Sequence, residues 1–162
     1  MKKLFRSLYL NNLFFYGLLG LVALYVLSFL FHWLFQATNY LLLMWLVLLG
    51  LDMLILFRTK TGIQASRVVA EKLSNGDQNP VDITLENYYT FNVRIKIIDE
   101  IPFQFQVRNF ELSKTIKANT SETLRYHVRP VERGEYHFGK LNVYVASPLG
   151  LVSRRFVQAE GV

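Results

Sequence analysis

Residues 13–34, LFFYGLLGLVALYVLSFLFHWL, and residues 40–57, YLLLMWLVLLGLDMLILF, are apolar runs whose reading decides the rest of the chain. They lie in the stretch 7–57, fifty-one residues with one formal charge, Asp52. Each run approaches the about 20 apolar residues needed to cross a bilayer core of about 30 Å. Between them Phe35-Gln36-Ala37-Thr38-Asn39 offers polar and small residues for a turn. In lipid every backbone N–H and C=O must be paired within its own segment, so two helices are the expected solution. The sequence therefore predicts a two-helix transmembrane hairpin over residues 1–60, with spans at about 13–34 and 40–57.

The flanking charges give an orientation. Lys2, Lys3 and Arg6 precede the first run, Arg58, Lys60 and Arg67 follow the second, and the turn carries neither Lys nor Arg. By the positive-inside rule both ends face the cytoplasm in a multi-pass membrane protein. Trp33, Tyr40 and Trp45 fall near the turn, where an interfacial aromatic belt belongs. The first run is too long for a signal-peptide core of about 7–15 residues, and no small-x-small cleavage site follows it.

Within the runs, Gly17, Gly20 and Ala23 suggest a small-residue face for close approach of Gly50. Asp52 stands six residues before Arg58. Its position suggests access to the cytoplasmic interface, or a pairing with Arg6 or Lys3. The alternative is an ion- or proton-handling carboxylate, since charges inside a span are costly.

Residues 61–162 read differently. From Arg58 to Val162 the chain carries fifteen Lys and Arg against eleven Asp and Glu, a net charge of +4. Scattered basic residues suit a domain near anionic lipid and argue against nucleic acid, which requires a clustered stripe. The absence of cysteine excludes disulfides and thiolate metal sites. Alternation with period two replaces the helical pattern, predicting strands at 67–73, 81–86, 93–97, 103–108, 123–129, 135–138, 141–145 and 151–158. Val81, Ile83, Leu85, Leu141 and Val143 face inward, with Thr84 and Asn142 on the opposite face. Ser74-Asn75-Gly76-Asp77 and Ser147-Pro148-Leu149-Gly150 are turns, and Gly134 and Gly150 are candidates for positive φ. This pattern predicts an all-β antiparallel sandwich, immunoglobulin-like in size.

Chemistry is sparse in this pattern. His127 and His137 alternate with apolar residues and read as outward strand positions. Asp99-Glu100 before Ile101-Pro102 reads as a turn. Arg94, Lys96, Arg125, His127 and Arg129 would form one basic face if their strands were neighbours. Arg133-Gly134-Glu135-Tyr136 lacks the glycine spacing of a phosphate loop. The sequence thus assigns no catalytic, cofactor-binding or metal-ligating residue.

Gly76, VDITLEN at 81–87 and IDEIP at 98–102 are similar to the first sandwich strands of bacterial "domain of unknown function 58" membrane proteins. Arg129-Pro130, Arg133-Gly134-Glu135-Tyr136-His137-Phe138-Gly139 and Ser147-Pro148-Leu149-Gly150-Leu151 resemble that family's most recognisable run, in the same order and spacing. The resemblance implies a bacterial inner-membrane protein whose amino-terminal hairpin anchors a sandwich, with protein partners such as AAA+ ATPases of the MoxR class. It also implies a von Willebrand factor A-like half beyond the sandwich, which lies outside this sequence. Two functions follow: a non-enzymatic, membrane-anchored accessory or scaffold module, or a transport or sensing subunit that uses the hairpin and Asp52.

Overall fold

The computed structural model describes residues 7–107 and 110–158. It divides into two compact units, Met1–Lys60 with Ala146–Arg154, and Thr61–Val145 with Arg155–Val162.

The helical unit begins with strand β1 (Leu8–Leu10), followed by helices α1 (Asn12–Ser28) and α2 (His32–Arg58). α1 and α2 pack antiparallel: Trp45 of α2 lies against Phe14 and Gly17, and Asn39 accepts a hydrogen bond of 2.8 Å from the Tyr25 hydroxyl. A Cβ on Gly17 would sit 2.3 Å from the Trp45 ring, so this contact requires glycine. Gly20 and Gly50 have no such neighbour, and the expected small-residue face reduces to Gly17 against an indole.

The helix break falls at 29–31, earlier than expected, and α2 runs without interruption through 35–39. That segment contains no Gly or Pro, and Thr38 satisfies its hydroxyl on the Leu34 carbonyl 2.9 Å away. The true end of α1 is marked instead by Ser28, whose hydroxyl bonds the Tyr25 carbonyl, and by bonds from Phe29 to Val26 and Leu30 to Leu27 that tighten the last turn. Trp45 consequently lies deep in α2 rather than in a belt at the turn, while Trp33 remains beside the break. Lys2, Lys3 and Arg6 lie outside the described residues, and with them the expected pairing of Asp52 with Arg6 or Lys3.

The remaining strands are β2 (Ile63–Val69), β3 (Asn79–Asn87), β4 (Val93–Asp99), β5 (Glu111–Ile116), β6 (Ser121–Val128), β7 (Leu141–Ala146) and β8 (Val152–Gln158), all in the β unit except Ala146 and the first half of β8, which belong to the helical unit. Two antiparallel sheets form. One has the order β2-β3-β6, and the other runs β8-β7-β4-β5. Val81, Ile83 and Leu85 point inward with no exposure, as do Ile97, Leu141 and Val143. The first half of β8 also pairs with β1, Leu8 opposite Arg154 and Leu10 opposite Val152.

Several expected strands are displaced, each for a local reason. β2 ends at Val69 opposite Val81, because Pro80, the next residue of β3 on that side, has no N–H to donate. Residues 103–105 form a 3-10 turn held by Phe105 N–H on Pro102 O and Gln106 N–H on Phe103 O. Phe103 is therefore exposed while Phe105 is buried, although alternation had placed them on one face. Arg108, the end of that expected strand, lies outside the described residues. Residues 135–138 are irregular rather than a strand, and the segment is tied down by Gly139 N–H on Glu100 O, 2.8 Å. β5 escapes sequence reading because Ser113-Lys114-Thr115 interrupts its alternation, leaving Leu112 and Ile116 opposite Ile97 and Val93 of β4. Asn142 is buried, not outward: it donates to Glu100 and accepts from Arg155.

Ile83→Ala is expected to cost about 2–5 kcal/mol, the transfer term plus the cavity left behind. Asn142→Ala should cost about 1–3 kcal/mol by stripping Glu100 and Arg155 of a partner. Thr84→Ala, on the outward face beside Thr123, should stay within about 1 kcal/mol. Chemical unfolding of the three variants checks the ranking.

Candidate functional site

In the helical unit, Asp52 is completely buried in α2. Its carboxylate accepts hydrogen bonds from the Ser147 hydroxyl, from the Leu149 N–H at 3.1 Å and from the Leu151 N–H at 3.1 Å. These donors belong to the turn 147–151, which Pro148 and Gly150 shape as expected: Gly150 has φ +76° and its N–H bonds the Ser147 carbonyl. Asn11 holds the same turn from the start of α1, donating its side-chain amide to Gly150 O and its N–H to Leu151 O, each 2.9 Å. Arg154 closes the unit by donating to the carbonyls of Thr59 and Lys60 at the end of α2, where helix carbonyls otherwise lack partners. Among the described residues, Asp52 is engaged by backbone and hydroxyl donors.

In the β unit, a cleft of about 960 Å³ opens between residues 67–73 and residues 132–138. Its floor is a buried network. Arg67 pairs with Asp99, donates to Gly139 O at 3.1 Å and stacks its guanidinium on the Phe138 ring at 4.7 Å. The Tyr126 hydroxyl donates to the other Asp99 oxygen at 2.6 Å. Burial pushes the Asp99 carboxyl up, opposed by the Tyr126 hydrogen bond and the Arg67 charge. Burial also pushes the Tyr126 hydroxyl up, reinforced by its bond to Asp99. The aromatic side of the cleft continues from Phe138 through Phe105 to Tyr136, whose rings lie 4.5 Å apart.

Asp99-Glu100 is therefore no simple turn. Asp99 ends β4 on its inward side, and Glu100 caps the 139–142 segment by accepting from the Lys140 N–H and the Asn142 amide. Inward parity could have exposed the network in the sequence: Arg67 follows Ile63 and Ala65, Asp99 follows Ile95 and Ile97, and Tyr126 precedes Val128. The proposed basic face does not assemble, because Arg94 and Lys96 lie on β4 whereas Arg125 and His127 lie on β6 of the other sheet. Arg125 instead pairs with Asp82, and Arg129 bonds the Gly76 carbonyl. His127 is exposed on its strand; His137 is exposed on the irregular segment, 3.7 Å from Glu135. Among the described residues no cluster of three or more His, Cys, Asp or Glu is placed to hold a metal.

No protein-family model matches the chain, and no curated protein matches it. Among solved structures it is similar to an ASH/PapD-like domain of human CEP192, at 13% identity and a TM-score of 0.44, covering 63% of this chain and 88% of that one. It is also similar to the alkylpurine DNA glycosylase AlkC of Pseudomonas fluorescens, at 15% identity and a TM-score of 0.29, over 66% of this chain and 34% of that one.

The Tyr126 environment sets a pH dependence. An unfolded tyrosine ionises near pH ~10, whereas the buried hydroxyl keeps its proton to higher pH. The folded state then binds more protons than the unfolded state, so stability falls as pH rises above roughly 10. Tyr126→Phe should flatten this alkaline loss, measured as the change in unfolding temperature with pH; an unchanged slope would assign it to other tyrosines.

Proposed function

We propose that the chain is a non-enzymatic, membrane-anchored accessory module, in which α1 and α2 lie in a bilayer and the immunoglobulin-like sandwich serves as a platform for protein partners. The observation that carries this reading is the surface of α2. This helix of 27 residues, with a mean hydropathy of 2.4 over its most apolar window, is long and apolar enough to cross a membrane. Trp33, Tyr40 and Leu54 project from it with 70% or more of their surface exposed. A helix apolar on every face is stable when lipid covers it and a liability in water. α1, at 17 residues, reaches about 25 Å, near the lower limit for a span.

The charges after α2 and before α1 support cytoplasmic ends, and the resemblance to domain of unknown function 58 proteins supports a bacterial inner membrane and a MoxR-class ATPase among the partners. The transport or sensing alternative draws less support, because Asp52 already spends its oxygens on Ser147, Leu149 and Leu151.

The chain contains no cysteine, so single cysteines report topology without background. In intact bacterial cells, Leu30→Cys should react with a membrane-impermeant maleimide, while Glu135→Cys should react only after lysis. Alkaline washing should leave both variants in the membrane pellet. Labelling of Glu135→Cys from outside would reverse the orientation, and release of the chain by alkali would overturn the anchor.

A further inference from the structure

The turn 147–151 belongs to the helical unit, and its tip, Pro148 and Leu149, is exposed. Its main-chain donors are nonetheless all satisfied within that unit. Ser147 N–H bonds Val152 O at 3.0 Å, Pro148 has no N–H, and Leu149 and Leu151 N–H bond Asp52. Gly150 N–H bonds Ser147 O, while the carbonyls of Gly150 and Leu151 are taken by Asn11. A turn in water needs no such closure, because solvent pairs with its free groups. Irregular backbone at membrane depth does need it, since hydrocarbon offers neither donor nor acceptor.

Asp52 fixes the depth of the turn. It stands six residues before Arg58, about 9 Å along α2. Within that interval Leu54 and Ile55 are exposed. In a membrane, lipid therefore has to reach past Asp52 toward the exposed Arg58 and Lys60, which mark the headgroup level. The turn bonded to Asp52 is carried beneath that level. On the other helix the same layer is marked by Asn11, which opens α1. At about 25 Å, α1 falls short of a hydrocarbon core of about 30 Å, and the turn stands where it begins. The exposed Leu13 of α1 comes within van der Waals reach of Gly150, so the turn adjoins the apolar surface of the helix.

We propose that the turn 147–151 is itself a membrane-contacting element, with Pro148 and Leu149 inserted among lipid acyl chains just beneath the headgroups. Three observations name lipid as the occupant: the tip carries no polar side chain, its backbone donors are closed internally, and it adjoins the exposed Leu13 at the level of Asp52. Asp52 thereby has a defined task. It supplies the acceptors that water would otherwise give to Leu149 and Leu151, which lets the turn leave water. The proposal deepens the membrane reading and rests on it.

The test places an environment-sensitive fluorophore on Leu149→Cys of the full chain, in liposomes of phosphatidylethanolamine and phosphatidylglycerol. Leu19→Cys, exposed on α1, and Phe103→Cys, exposed in the β unit, serve as the lipid and water references. Leu149 should follow Leu19, with emission shifted to the blue, quenching by lipids that carry a nitroxide on the acyl chain, and iodide quenching lost. Iodide quenching of Leu149 as strong as that of Phe103 would overturn the proposal. So would protection from both quenchers, the sign of a protein contact at the tip. Iodide quenching of Leu19 would overturn the anchor and the proposal together, so the two failures are distinguishable. If labelled Leu149→Cys does not reconstitute, the wild-type chain with isotope-labelled leucine methyls decides. Nitroxide lipid should then broaden the Leu149 resonance, and broadening by a water-soluble gadolinium chelate alone would refute the insertion.

Discussion

A carboxylate buried in an apolar helix needs hydrogen-bond donors, and Asp52 finds them in the turn 147–151. Burying an unpaired charge costs several kcal/mol, whereas hydrogen bonds to a charged group contribute roughly 1.5–3 kcal/mol each. The turn 147–151 supplies three donors to Asp52, two of them main-chain N–H groups fixed by Pro148 and Gly150. In return the helix fixes the turn. Asn11 and Arg154 complete the arrangement, tying the start of α1 and the end of α2 to one short segment distant in sequence. The helical unit depends on this exchange, since its apolar side chains alone specify no partner for residues 146–154.

The β unit solves the same problem differently. Asp99 is as deeply buried as Asp52, but it faces a guanidinium and a phenol. Arg67 is in turn stacked on Phe138 and bonded to Gly139 O, so the ion pair carries its own supports. Truncating one member of such a pair is damaging because the other is left charged and dry. The network also holds the end of the irregular segment, at Phe138 and Gly139.

Much of this was legible in the sequence. The two apolar runs, the inward triplet Val81, Ile83 and Leu85, and the turns at Gly76 and Gly150 are all where pattern and turn chemistry place them. Asp52 and the Ser147–Leu151 run each stood out alone, but nothing local links residues so far apart in the chain. The polar run at 35–39 mimics a turn, but Thr38 and Asn39 find partners inside the helix pair and the break falls at 29–31. Phe103 and Phe105 looked like a strand because period-two spacing does not register a 3-10 turn after proline. Alternation puts Asn142 on the outward face, and Pro102 makes Asp99-Glu100 look like a turn, whereas both Asn142 and Asp99 are buried with hydrogen-bond partners.

Asp52 acts as the clamp of the turn, and a double-mutant cycle tests this most directly. Asp52→Asn, Ser147→Ala and the double variant are to be compared by thermal unfolding of the full chain in lipid nanodiscs. A clamp predicts that each single change destabilises and that the two are coupled by about 0.5–3 kcal/mol. Effects that add to within about 0.3–0.5 kcal/mol would contradict it and return Asp52 to a role unconnected with Ser147.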